Sequence, residues 1–459
     1  MMTRSRLTAA MFSTAGLEQV FSSQNTVARM LDVEAALARA TAKEGLIAQQ
    51  VVAPIVACCD VMQIDLPALA QAAGPAGNLA IPLVKQLTAL VARSDPEAAK
   101  YVHWGATSQD VIDTGLILQL REALDLIVVE LAEFADILAG LALHHRNTPM
   151  IARTWMQHAL PTTFGLKVAG WLDAVLRHQE RLAQLRSRLF VLQFGGAAGT
   201  LASFDDQGLT VASALAHELD LDLPELPWHT HRDRVAEVAT VLGLLTGTLG
   251  KIARDISLHS QTEIAELSEP GGAGRGGSST MPHKRNPVAC AAALTAAMRV
   301  PPLVSTMLSA MVQEHERALG GWQAEWDTLP EIICLSGAAL SQLRQAVSGL
   351  AVDAAKMREN IDSTRGLVMA EAISLALGKS IGRPAAHALL EQACQRALQN
   401  GLSLHQVLSD EPTVSTALTP TELSALFNPL AYAGEATGFV NRVLAAHQRR
   451  KAGFHFPEE

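Results

Sequence analysis

A chain of 459 residues, 49% hydrophobic and only 4% aromatic, is long enough for two or three domains around a large buried core. Its formal charge of −9 argues against nucleic acid as a partner, because phosphate binding needs a basic face; a polyanionic substrate would need a local positive island. Five cysteines, an odd number with no C-x-x-C pair, point to reduced thiols rather than a disulfide framework or a zinc site.

The first residues carry Arg4 and Arg6 before a mildly apolar stretch that soon meets Glu18. No signal peptide is predicted from that pattern, no run approaches the roughly 20 apolar residues of a membrane span, and the expected compartment is the cytoplasm. Alanine and leucine dominate the rest, and both lose little freedom in a helix. Between Ile112 and Arg146, Leu120, Leu124, Ile127, Leu131, Phe134, Leu138 and Leu141 recur at steps of four and three, with charged residues between them. This heptad seam predicts a helix of about 30 residues, on the order of 45 Å long. Pro161 is expected to open a further helix reaching about Gln193, where Phe194-Gly195-Gly196 ends it.

A second seam joins Val238, Leu242, Leu245, Leu249, Ile252 and Ile256, with Gly243, Gly247 and Gly250 on the other faces. A helix apolar nearly all round is a buried one. Another helix is expected after Asn286-Pro287, kinked at Pro301-Pro302, and the segment from Thr328 to Asn360 is again expected to be helical. From about Thr364 the helices shorten, punctuated by Gly382, Pro384, Pro412 and Pro420. The expected class is all-α: a mostly helical N-terminal domain (1–110), a central long-helix bundle (111–362) and a small C-terminal helical domain (363–459).

Residues 277–287 read Gly-Ser-Ser-Thr-Met-Pro-His-Lys-Arg-Asn-Pro, preceded by a run too glycine-rich to form a helix. A loop with two serine hydroxyls and three potential cations can close over an anion and expel water. Two other blocks stand out. One is His103-Trp104-Gly105-Ala106-Thr107-Ser108-Gln109-Asp110; the other is Arg153-Thr154-Trp155-Met156-Gln157-His158-Ala159. Thr107, Ser108 and Asp110 also fit an ordinary helix cap, which is compatible with binding a carboxylate at the positive end of a helix. Arg232 and Arg234 form a weaker candidate anion patch, and Arg317 fits a solvated helix charge as well as a ligand.

The loop resembles the G-S-S-x-M-P-x-K-x-N-P signature of the fumarase/aspartase superfamily and meets every fixed position, and the other two blocks resemble that superfamily's remaining active-site regions in the right order. The resemblance implies that Ser278 is the base or acid at a carbon beside a carboxylate, with Lys284 and His158 in catalytic roles. Lys284 and Asn286 would hold the carboxylate as it gains electron density. It further implies Thr107, Ser108, Thr154, Gln157, Ser279, Met281 and Arg317 as substrate contacts. No metal or organic cofactor is implied, and the expected assembly is a homotetramer whose active sites draw on three chains.

Three positions depart from the amine-eliminating members: Trp155, Ala291 and Asn78 stand where those enzymes place a proton-donating histidine, the glutamate that orients it and a second histidine. All three losses concern a proton on the heteroatom. An amine needs that proton to leave, whereas a carboxylate, with a pKa near 4, does not. Together with Leu192–Ala197, Pro227-Trp228-His229-Thr230 and Gln313–Arg317, the pattern is similar to the lactone-forming branch of the superfamily, in which a carboxylate adds across an alkene within one tricarboxylate. His231 stands where that branch carries glutamine. The rival readings are an adenylosuccinate-type amine lyase, against which Met11-Phe12-Ser13-Thr14 lacks the expected phosphate-binding arginine, and a structural protein on the same fold.

Overall fold

The computed structural model describes residues 7–271, 276–277, 280–281 and 283–453. It is built almost entirely from helices, with two small two-stranded sheets. The chain forms two compact units, each assembled from three stretches. The first is Met1–Leu131, His178–Leu249 and Ala292–Ser341; the second is Ala132–Arg177, Gly250–Ala291 and Gln342–Glu459.

The longest helix, Ser108–His144, is the predicted first seam. Leu120, Leu124, Ile127, Leu131, Phe134 and Leu138 are all buried, and each such side chain contributes about 1.5–3 kcal/mol by leaving water. The second seam is the Asp233–His259 helix, with all six apolar positions buried. Gly243 earns its place in that helix by close approach: a Cβ there would lie 3.0 Å from Val304 of the Val288–Ser309 helix.

These two helices, Asp233–His259 and Val288–Ser309, are long and apolar enough to cross a membrane by length and composition. That corrects the expectation that no segment approaches this limit: glycines and threonines interrupt the apolar run of the first, and Thr295, Arg299 and Pro301-Pro302 that of the second. In the first, 61% of the apolar window is buried inside the protein, as befits a core helix. In the second the share is 33%, and Met298 and Leu308 face outward.

Three local expectations are also corrected. Pro161 does not open a helix: residues Pro149–Thr154 (β1) and Gln157–Thr163 (β2) form an antiparallel hairpin, and the helix runs Phe164–Leu189, capped by Thr163. Pro161 pairs with Ile151 next to an irregular step of the ladder, the kind of place where a strand tolerates a missing donor. The segment from Thr328 to Asn360 is not one helix. Gly321–Ser348 ends before a short strand, Ala351–Val352, which pairs with Leu267–Ser268, and a separate helix Ala354–Asp362 begins at the Asp353 cap. Gly349 at the break sits against Pro270, where a Cβ would come within 2.9 Å. Third, His315–Arg317 lie in a turn rather than on a helix.

Towards the C-terminus a separate apolar core gathers Met369, Ile373, Leu377, Leu390, Leu404, Leu408 and Leu423 within the second unit.

Candidate active site

In the first unit the site is organised by buried Asp110, in the opening turn of the Ser108–His144 helix. One of its oxygens accepts the Gly195 N–H (3.0 Å) and contacts His229 Nε2 (2.7 Å). The other accepts the N–H groups of Thr107 (3.0 Å) and Gly196 (2.9 Å). Asp110 is therefore the cap the sequence suggested, and it also ties the first block to the Phe194–Ala197 turn. Gly105 is required here: its φ is +72° and a Cβ would strike the Phe204 ring.

The turn so fixed presents Thr107 and the carbonyl of Ala197 to Arg317, which donates to Thr107 Oγ1 (3.1 Å) and to Ala197 O (3.0 Å). Among the described residues Arg317 makes no ion pair, so its charge is free for an anion. Ser108 is half-buried at the adjoining helix N-terminus. The structure thus brings Thr107, Ser108 and Arg317 together.

Arg232, by contrast, is a core residue. Its guanidinium is 1% exposed and sits between Asp113 (2.7 Å) and Glu325 (2.6 Å). Burial opposes its charge, but the two carboxylates more than restore it and hold its pKa above the usual arginine value. It is not an anion patch. Arg234 is likewise engaged with the Arg188 carbonyl.

In the second unit, the hairpin carries Thr154, Gln157 and His158 at its tip, all exposed, with Arg153 paired to His158 and Thr154 to Gln157. The two connecting residues, Trp155 and Met156, have φ of +51° and +64°, and Trp155 is 97% exposed. Left-handed backbone at so bulky a residue is strained, and such strain gathers at functional sites. Partial burial and then Arg153 hold the His158 pKa below its ordinary value, with Glu266 opposing. His158 also borders a cavity of about 880 Å³ lined by Thr364, Arg365 and Glu371.

The signature loop belongs to the same unit. Ser278 and Ser279 lie outside the described residues, as do Gly272–Arg275 and Pro282. Around them the loop closes on itself: Asn286 N–H donates to Gly276 O (2.8 Å), Gly277 bridges Arg285, and Lys284 N–H donates to Met281 O (3.1 Å). Gly276, at φ +65°, allows this, since a Cβ would lie 2.7 Å from Asn286 O. Lys284 and Met281 are exposed and Asn286 is half-buried. Buried Glu269 accepts the N–H groups of Ala289 (3.1 Å) and Cys290 (2.9 Å), so one carboxylate joins the segment before the loop to the helix after it.

The chain matches the family model described as "Lyase" over residues 7–301 and the one described as "Adenylosuccinate lyase C-terminus" over residues 366–443. It is 55% identical over 438 residues to 3-carboxy-cis,cis-muconate cycloisomerase of Pseudomonas aeruginosa, covering 95% of each chain. The chain belongs to the fumarase/aspartase lyase family. It is also 52% identical to the cycloisomerase of the same name from Bradyrhizobium diazoefficiens, covering 97% of this chain and 99% of that one. The crystal structure of 3-carboxy-cis,cis-muconate lactonizing enzyme from Pseudomonas putida matches with a TM-score of 0.94 at 52% identity, over 97% of this chain and all of that one.

Within that family frame the departing positions have structural fates of their own. Asn78 caps a helix, its Oδ1 accepting from Ala80 (3.0 Å) and Ile81 (3.2 Å), while Trp155 forms the bare hairpin tip. Sequence reasoning missed the buried Arg153–Glu266–His259 cluster behind that tip. Its members are up to 113 residues apart, so no local pattern signals it.

Proposed function

We infer that this lyase-family enzyme converts 3-carboxy-cis,cis-muconate to 4-carboxymuconolactone by intramolecular carboxylate addition, a step of the protocatechuate branch of the β-ketoadipate pathway. The observation that carries this reading is Trp155 at the hairpin tip. The family's nitrogen-protonating histidine is replaced there, while the loop that binds and protonates beside a carboxylate is complete in sequence. Two close relatives and a solved structure bearing this activity support it.

In the proposed reaction a carboxylate oxygen attacks the distal alkene carbon, the C–O bond forms and the π pair moves into the neighbouring carboxylate. The resulting aci-carboxylate takes a proton on its α-carbon from Ser278, leaving a methylene, and the Ser278 alkoxide regains its proton from water. Lys284 and Asn286 stabilise the dianionic group as it forms. Thr107, Ser108, Arg317, Thr154, Gln157, Ser279 and Met281 hold the remaining substrate. His158 contributes a hydrogen bond. The steps use only bound carboxylates and one proton, so no metal or organic cofactor takes part. Each active site combines the three blocks from three subunits of a homotetramer. Outward-facing Leu126, Val129, Leu244 and Met298 on the long helices support such an assembly. The separate C-terminal core supports a domain boundary near residue 363, and five cysteines outside any disulfide support a cytoplasmic setting.

A second reading, an adenylosuccinate-type lyase, is favoured by the C-terminal family match alone. Purified enzyme incubated with a chelator and, in turn, the muconate, adenylosuccinate and argininosuccinate separates the two. Loss of the conjugated-diene absorbance with the muconate alone is expected. Turnover of an amine substrate, or activity restored only by a divalent ion, overturns the proposal.

A further inference from the structure

Glu266 lies in none of the three blocks, yet its carboxylate has three side-chain partners among the described residues. Its side chain is fully buried. Arg153 of β1 grips it with both terminal nitrogens, at 3.1 and 2.8 Å. His259, in the last turn of the Asp233–His259 helix, bonds to Oε2 through Nδ1, and Asn360 donates to Oε1 at 2.7 Å. The main chain is fixed as well: Glu266 N–H donates to His259 O (2.9 Å) and its carbonyl accepts from Asp353 (3.0 Å). Three separate elements therefore converge on one residue.

What this carboxylate holds is the root of the hairpin tip. Arg153 pairs across the ladder with His158, and the next pair outward is Thr154 with Gln157. Beyond them are only Trp155 and Met156, both in left-handed backbone and both exposed. Trp155 and Met156 thus bury little of their own within the chain to set the direction of the tip. The Arg–carboxylate fork is planar and two-pronged, and it fixes orientation as well as distance.

We propose that Glu266 is a positioning residue for the reaction: through Arg153 it aims Thr154, Gln157 and His158 at the substrate. The proposal rests on the reading of the hairpin tip as a substrate-binding arm. A misplacement of about 1 Å in such an arm costs on the order of a hundredfold in rate.

The test is a double-mutant cycle in the full-length enzyme, following lactonisation of the muconate. Glu266→Gln turns an amide N–H towards a donor and loosens the fork; Gln157→Ala removes a group at the tip. Glu266→Gln is expected to lower kcat/KM about a hundredfold in the native background, but less than threefold in the Gln157→Ala background, because the arm it aims is already disabled. If Glu266→Gln does not fold, Arg153→Lys, which keeps the charge and loses the fork, takes its place in the same cycle. Equal losses in both backgrounds, or a native-background loss under twofold, overturn the positioning role, leaving Glu266 a scaffold residue. If Gln157→Ala alone keeps full activity, the reading of the hairpin as a substrate arm fails, and the proposal with it.

Discussion

Trp155 holds a left-handed backbone with its indole almost wholly uncovered, an arrangement that costs folding energy and fills no core. Glycine adopts that backbone freely. Trp155→Gly is therefore expected to leave Tm unchanged or raise stability by about 1 kcal/mol, while kcat/KM falls at least tenfold; a loss of stability with full activity would contradict a functional origin of the strain. Trp155→His is expected not to raise lactonisation, since a carboxylate nucleophile has no proton for it to handle. Ser278→Ala should lower kcat about a thousandfold or more while binding survives through the other contacts. Weakened binding with an intact kcat, together with loss of turnover in His158→Ala, would transfer the proton to His158.

At the scale of elements, the cluster behind the hairpin has a pH signature. Burial alone would raise the Glu266 pKa, but hydrogen bonds from His259, Arg153 and Asn360 outweigh it and bring it down to about 2 from 4.5. Lys167 is a further cation within electrostatic reach. A depressed carboxylate pKa stabilises the fold above the unfolded value, and the contribution is lost as pH falls from about 4.5 towards 2. It amounts to at most about 3 kcal/mol. Acid unfolding monitored by circular dichroism should show this steep loss in the native enzyme, and Glu266→Gln should flatten it; an unchanged acid slope would contradict the assignment. The long helices were legible in the sequence because their seams repeat at steps of three and four over several turns. The hairpin was not. Its connection is Trp155-Met156 rather than the Asn-Gly type that marks a two-residue turn, and Pro161 reads locally as a helix start. The three motif blocks stood out as candidate sites, but the Glu266 carboxylate behind the hairpin acts across a gap of 113 residues and leaves no periodic trace.

For the molecule as a whole, apolar side chains on the outer faces of its long helices and three site blocks in separate stretches of chain fit an enzyme completed by assembly. Ser278→Ala and Gln157→Ala proteins, each strongly impaired but with Gln157→Ala keeping measurable turnover, should regain part of the native activity when unfolded and refolded together, because some mixed sites then draw both intact blocks from different chains. A monomer by light scattering, or no recovery in well-folded mixed tetramers, would contradict shared sites. The central claim is that a carboxylate closes onto an alkene and one fixed group then protonates carbon. Running the reaction on the muconate in D₂O and examining the product by NMR tests it directly. The account predicts a lactone with a single deuterium on the methylene carbon, in one stereochemical position. A product with deuterium scrambled over both methylene positions, or no lactone at all, would contradict it.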